Sequence, residues 1–498
     1  MAQLTVVPNK SNVFKDQPFS VIVTITGEIN INDQIRVNAT QLTGVKLLST
    51  LPGNVSGGNF TQTLIFQADG TSSNCSILFS ANTPDHLKTE AQYQVIDNPK
   101  LDADSCKLSL SKSYLVDLAP VDTTATPGSN NPFVIASINP TVNKNPIPNY
   151  DIHILTKSHV RIYTQDKVEI KPYKTINPSN GYLYYEYVIP KTSVDPVVLR
   201  IYATKHLNDF VSLETQFGNY FYDSLQVLFI STNPTRISQT LDAPKIKEAS
   251  NGNLTRPDNQ DSQFTFEVLG SIKITSGSYL IGFVTDDLSN PYNHQLCYGK
   301  IDIEENGYYK FPANYTDMHD GVNYISYITI NNNNQPEGSI GREIDYNSNG
   351  NNDPDSTGGV MVPPEIYDQY DDYINADTPI NRDSIGNTGL NIKMLHDEHK
   401  SAITVGIGDV ITIKAYISYC DDESNSKRPN PVIITGEPIN SADIIDNYYT
   451  MTIPADKLID YKTSPKASEG KITIEYSRLT QNKRSIPSVR SFDTSKPY

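Results

Sequence analysis

The sequence predicts an all-β chain, a tandem row of about four Greek-key β-sandwiches, and three observations predict it. Runs of strict apolar–polar alternation recur along the whole length. A Tyr-rich run that ends in proline, followed by a second alternating run, repeats at domain-sized intervals. Helical periodicity is almost absent, the best candidate being one or two turns at Ala455–Tyr461.

The repeat is clearest in three copies. Gly181–Pro190, Asn306–Ala313 and Asn447–Ala455 each carry a tyrosine run that closes on an apolar residue and then proline. A second strand follows each one, at Val197–Tyr202, Val322–Ile328 and Lys471–Tyr476. Phe60–Phe66 followed by Cys75–Phe79 is a looser fourth copy. One alternating strand lies upstream of each pair, at Pro18–Ile25, Pro132–Ile138, Tyr279–Val284 and Asp409–Ile417. Period-2 alternation places one face of a strand in a core and the other in water. Proline donates no ladder hydrogen bond, so it ends the strand and starts a crossover. Boundaries are expected near 104, 235 and 335, in stretches rich in Pro, Asn or Thr. The expected domains are 1–104, 105–235, 236–335 and 395–480, with an acidic Asn/Asp-rich insertion or linker at 336–394 and a basic tail at 481–498.

The whole chain bounds the function. Its 498 residues suffice for several cores, and a hydrophobic fraction of 37% suits small, thin ones. Aromatic usage is 31 Tyr and 15 Phe with no Trp, and Tyr favours strands and half-buried surfaces. A net charge of −16 argues against nucleic acid as a partner and suits divalent cations. The four cysteines form no C-x-x-C pair, which argues against structural zinc. Cys75 and Cys106 are close enough in sequence to pair, while Cys297 and Cys420 fall in different domains; four buried thiols is the other reading. No Sec-type leader is visible at the start and no run approaches 18 apolar residues, so no membrane span is expected. The expected location is extracellular or cell-surface by another route, with cytosolic synthesis before assembly or release.

The unit Tyr-Tyr-x-x-x-Ile-Pro-Ala-x-x-Leu followed by Gly-x-Ile-x-Ile-x-Tyr, best at residues 405–478, resembles the second half of bacterial immunoglobulin-like domains. Such domains occur in tandem in large surface proteins, including invasin- and intimin-like adhesins. The resemblance implies immunoglobulin-like sandwiches with a binding or spacing role, and it carries no functional residues across. The Cys–Trp–Cys hallmark of antibody domains is absent, because the chain has no Trp.

Several segments carry candidate chemistry. In Asp345-Tyr346-Asn347-Ser348-Asn349-Gly350, oxygen-bearing side chains alternate and glycine sits sixth, as in the first half of a calcium loop. The candidate ligands are Asp345, Asn347, Asn349, Asp353 and Asp355; the terminal bidentate Glu is missing, and a plain Asn/Asp/Gly-rich loop is the competing reading. Downstream, the acidic segment holding Glu365, Tyr367, Asp368, Tyr370, Asp371, Asp372, Tyr373 and Asp377 reads either as a partner contact or as a solvated linker. His396-Asp397-Glu398-His399 is not the hydrolytic zinc motif and reads as a polar turn. Asn-x-Ser/Thr sequons, those at Asn38, Asn54, Asn59, Asn74, Asn253 and Asn314 among them, follow from the composition. The basic tail reads either as a docking arm for an acidic neighbour or as a frayed end. No nucleophile, phosphate-loop or dinucleotide signature is present.

The expected function is therefore a non-enzymatic, adhesin-like binding protein whose partner is a protein or glycan receptor. A structural subunit of a fibre, tubule or phage-like appendage, binding copies of itself, is the alternative. A carbohydrate-active enzyme is the weakest reading. No cofactor is required, and calcium is the one candidate. If Asp345 and Asn349 ligate calcium, the chain melts at higher temperature with calcium than with chelator, because a ligand of the folded state stabilises it. Superimposable melting curves would remove that site.

Overall fold

The structure is a computed structural model. It describes residues 2–27, 34–121, 125–128, 130–176, 184–205, 207–218, 220–222, 226–257, 262–271, 274, 277–302, 304–331, 335–348, 358–400, 403–420, 426–427, 429, 431–461, 470–479 and 483–495. The chain forms two compact units, each holding two immunoglobulin-like sandwiches. The first unit comprises Met1–Lys112, Pro120–Lys205 and Val211–Val227; the remainder forms the second.

In the first sandwich, the sheet Gln3–Val7, Pro18–Thr26, Asn59–Ala68 and Val45–Thr50 faces the sheet Ser11–Phe14, Lys88–Ile96, Asn74–Ala81 and Val37–Thr43. Alternation fixes which residues meet: Val21, Val23, Leu64 and Phe66 on one sheet, Ile77, Phe79, Ala91 and Tyr93 on the other. The Phe66 and Phe79 rings pack edge to face at 6.0 Å. The second sandwich pairs the sheet around Val134–Ile138 and Val197–Tyr202 with the sheet around Tyr184–Ile189, Ile152–Thr156 and Leu213–Phe217.

Strand register explains the repeat. In the last three sandwiches the upstream strand pairs antiparallel with the second strand of the repeat: Val134–Ile138 with Val197–Tyr202, Tyr279–Thr285 with Gly321–Ile330, and Ile411–Cys420 with Lys471–Arg478. The Tyr-rich strands lie in the opposite sheets, beside Ile152–Thr156, Gln263–Leu269 and Leu390–Leu395. The first sandwich differs, because Pro18–Thr26 pairs with the first strand of its unit, Asn59–Ala68. Its Asn74–Ala81 strand pairs instead with Val37–Thr43, whose mostly polar residues hide it in the sequence.

Two expected segments are different in the structure. Residues 336–394 are not a linker insertion. Pro336–Ser339 and Arg342–Asn347 complete the third sandwich, while Glu365–Tyr367 and Leu390–Leu395 belong to the fourth. Met361, Ile366, Ile374, Ile380, Ile385, Leu390, Ile392 and Met394 enter the core of the fourth. Their apolar residues are few and well spaced, so the acidic residues between them dominate the sequence while the isolated Ile and Met side chains do the packing. The basic tail is not a free arm either. Ser488–Asp493 pairs antiparallel with Lys471–Arg478 and parallel with Ile380–Asn381, and Phe492 is buried. Arg490 is buried too, its Nε donating to the carbonyl of Ile374 at 3.0 Å. The helical candidate after Pro454 is a single 3-10 turn, Ala455–Lys457. Cys75 and Cys106 are buried free thiols and do not pair; burial pushes each up to about 11.

A half-buried carboxylate joins the two sandwiches of the first unit. Asp151 Oδ2 accepts from the backbone N and Oγ of Ser20, each at 2.6 Å, and Oδ1 accepts from Lys191 N at 3.1 Å. Beside it, Gln17 Nε2 donates to the Asp151 carbonyl at 3.0 Å, and Gly218 N donates to Gln17 Oε1 at 2.7 Å. The Phe14 and Tyr150 rings lie 4.1 Å apart. Burial pushes Asp151 up to about 6, against the pull of its hydrogen bonds from Ser20 and Lys191. A carboxyl whose folded pKa is raised binds more protons folded than unfolded, so its contribution to stability grows as pH falls from 7 toward 4. Asp151→Asn should remove that contribution. The wild-type minus variant stability, from denaturant melts, should rise on acidification by about 2–3 kcal/mol; a difference independent of pH would show that Asp151 titrates normally.

Candidate functional site

The acidic, tyrosine-rich segment of the sequence is an ordered corner of the fourth sandwich. Glu365–Tyr367 lies beside Leu390–Leu395, which lies beside Tyr448–Ile453, so residues from three strands share the outer face of one sheet. Ile366 and Ile392 point into the core, which turns Glu365, Tyr367 and Lys393 outward. The chain then turns back sharply. Asp368 N donates to the Asp372 carbonyl at 3.0 Å, and Asp371 sits in the left-handed region with φ +68°. The Asp368 carboxylate fastens the turn, its Oδ1 accepting from Tyr370 N at 2.8 Å and Asp372 N at 2.9 Å. Ile374, buried and bonded through its N to the Ile366 carbonyl at 2.9 Å, anchors the return.

On this frame the side chains interlock. Glu365 accepts from the hydroxyls of Tyr367 and Tyr448, both at 2.9 Å. Lys393 Nζ lies 4.0 Å from the centroid of Tyr367 and 2.7 Å from Asp371 Oδ2. The rings of Tyr367 and Tyr373 meet edge to face at 5.5 Å. Burial, with Glu365 beside it, pushes the Tyr367 hydroxyl up to about 12. Burial, Glu365 and Tyr373 raise Tyr448.

The sequence-predicted residues thus divide by task. Tyr367, Asp368 and Asp371 hold the corner together, whereas Tyr370, Asp372 and Tyr373 face outward, with Tyr370 74% and Tyr373 54% exposed. Two members, Lys393 and Tyr448, are missing from the sequence reading of this segment. Strand register alone brings them in, across gaps of more than twenty and seventy residues. The apolar–polar alternation of Leu390–Leu395 was the one signal that Lys393 faces outward.

Of the five calcium candidates, the structure describes two. Asp345 and Asn347 are exposed on the solvent face of Arg342–Asn347, whose Ile344 and Tyr346 enter the third core. Asn349, Asp353 and Asp355 lie outside the described residues. Among the described residues, no group of three or more His, Cys, Asp or Glu could hold a metal ion. His396 and His399 fall in a turn, His396 Nδ1 lying 2.8 Å from the Val405 carbonyl and His399 standing exposed. No helix among the described residues is long and apolar enough to cross a membrane.

No family model matches the sequence, and no curated protein does. Solved structures that align with the chain include the Yersinia pseudotuberculosis adhesin InvE, at 13% identity over 49% of this chain and 66% of that one, with a TM-score of 0.18. Domains 4–9 of the surface layer protein SbsC align at 11% identity over 99% of this chain and 65% of that one, with a TM-score of 0.19. The tandem Ig repeats of Dlar align at 8% identity over 46% of this chain and 97% of that one, also at 0.19. The chain spans just under two thirds of the InvE and SbsC chains. At these TM-scores the alignments carry no argument about function, and the fold reading rests on the sheets and cores described above.

Proposed function

We propose that the chain is a non-enzymatic surface or extracellular binding protein, adhesin-like in working through an immunoglobulin-like sandwich, and that the corner at Tyr370 and Tyr373 contacts a protein partner. The observation that supports this most is the rigid presentation of two exposed tyrosines on a turn fastened by Asp368. Tyrosine gives large amphipathic contact area at low entropic cost, and it is enriched where interfaces concentrate their energy. Around these rings Asp372 and Asp377 are exposed, which favours a partner with a basic surface. The reading needs no cofactor, and calcium at Asp345 is an addition to it rather than a part of it.

A second reading, a self-assembling structural subunit, draws on a different feature. Tyr220–Tyr222 is the outermost strand of its sheet, with Tyr220 72% and Phe221 60% exposed. Exposed edge strands are templates for pairing with another chain.

Beads coated with the full chain can be scored for attachment to epithelial cells and to immobilised matrix proteins. Tyr370→Ala/Tyr373→Ala should reduce attachment at least tenfold, since interface tyrosines contribute about 2 kcal/mol each, with only a small fall in melting temperature from the lost Tyr373–Tyr367 ring contact. Attachment equal to wild type would overturn the assignment. Concentration-dependent sedimentation abolished by Tyr220→Ala/Phe221→Ala would favour the subunit reading.

A further inference from the structure

Within the second unit, the third and fourth sandwiches frame a cleft of about 490 Å³. One wall is the loop after Tyr279–Thr285 together with the loop before Gly321–Ile330, which bring Asp286, Asn293, His294 and Asp320. The other wall comes from the fourth sandwich and brings Tyr419, Tyr461, Asp456 and Lys457.

Both walls are built rather than loose. Asp320 accepts from Ser348 N at 2.6 Å and Ser348 Oγ at 2.8 Å. Asn323, fully buried, donates to the carbonyls of His319 at 2.7 Å and Gly321 at 2.8 Å, which sets the loop between them. Across the cleft, the Tyr461 ring is wedged between Tyr419 at 5.2 Å and Phe492 at 5.9 Å. Tyr461 N donates to Thr494 Oγ1 at 3.2 Å, and that threonine is buried. His294 Nε2, which also lines the cleft, is paired with Asp317 Oδ1 at 3.9 Å. Asp317 is itself occupied by Asn314 Nδ2 at 3.0 Å.

This lining selects a ligand class. Asp286, Asp320 and Asp456 line the cleft with a single lysine, Lys457, whose ammonium pairs with Asp456 Oδ2 at 3.4 Å, so the cleft's net charge is negative and an anion is repelled. The half-buried Tyr419 ring, held edge-on by Tyr461, lines the cleft as an aromatic surface of the kind that packs on a sugar ring. Asn293 and the aspartates offer acceptors for adjacent hydroxyls, and the Asn293 amide offers donors. The volume falls in the usual range of small-ligand sites, which for a carbohydrate means roughly two or three rings. We infer that this cleft binds a short neutral oligosaccharide, stacked on Tyr419 and hydrogen-bonded through Asn293, Asp286 and Asp456.

The test is calorimetric titration of the full chain with cellobiose, maltose, lactose and N,N′-diacetylchitobiose, alongside spermidine and a disaccharide carrying a glucuronate. At least one neutral sugar should bind below about 10 mM. Tyr419→Ala and Asn293→Ala should each weaken it tenfold or more, with Tyr419→Phe retaining most of the affinity and reporting an intact fold. Tyr370→Ala/Tyr373→Ala should leave sugar binding unchanged, which separates this cleft from the protein-contact corner. The inference is overturned if no neutral sugar binds, if binding survives Tyr419→Ala and Asn293→Ala, or if only spermidine or the glucuronate binds.

Discussion

Two sheets can enclose a core this thin only when every second residue along the central strands is apolar and the paired strands are in register. In the fourth sandwich Ile411, Ile413, Ala415 and Ile417 run along one central strand, and Ile472, Ile474 and Tyr476 along its neighbour. All seven are buried to within 2%. A slip of one residue would turn every one of them out of this core and bring Thr473 and Glu475 into it. The cleft hangs on this register, because Tyr419 is set by the same strand as Ile417, while the tyrosine corner hangs on the register of Tyr448–Ile453 against Leu390–Leu395 in the other sheet.

Buried charge is placed where strands and loops must be held at one angle. Arg478 lies 2.9 Å from Asp409 with both side chains buried, and Tyr416 donates to Glu475 at 3.0 Å within the same sandwich. Such pairs add little net stability over apolar residues, yet losing one partner leaves an uncompensated charge. Asp317 shows the balance. Burial pushes its carboxyl up, but His294, Lys414 and Asn314 together hold it below the ordinary carboxylate range. Asp151 has no cation to do this and stays high.

The fold was legible wherever alternation was strict, and illegible wherever a strand's partner lies far along the chain. Val322–Ile328 and Lys471–Tyr476 announce themselves as strands, because half-buried position and sequence period coincide there. Val37–Thr43 does not, since only Val37 among its residues is buried. The segment 336–394 reads as a linker because its carboxylates outnumber the Ile and Met side chains that reach the core. The candidate site was half legible for the same reason. Tyr370 and Tyr373 stand out as aromatics among acids, but nothing local reveals that Asp368 is spent on a turn or that Lys393 covers Tyr367. The alternating oxygens of Asp345 and Asn347, which mimic half a calcium loop, are in the structure the outward half of a strand's own alternation.

The strand Ser488–Asp493 has a consequence for how the protein is made. Its partner Ile380–Asn381 leaves the ribosome more than a hundred residues earlier and can find no ladder on that side until residue 493 is free. During that interval the Lys471–Arg478 strand offers a bare apolar-backed edge, with Ile472 and Ile474 on its core side. Tyr114–Val116, which pairs with Val227–Ile230, and Ser238–Leu241, which pairs with Pro336–Ser339, wait in the same way for distant partners. Translation speed between codons 381 and 493 therefore sets how long each nascent chain exposes this edge, and slowing it there lengthens the exposure.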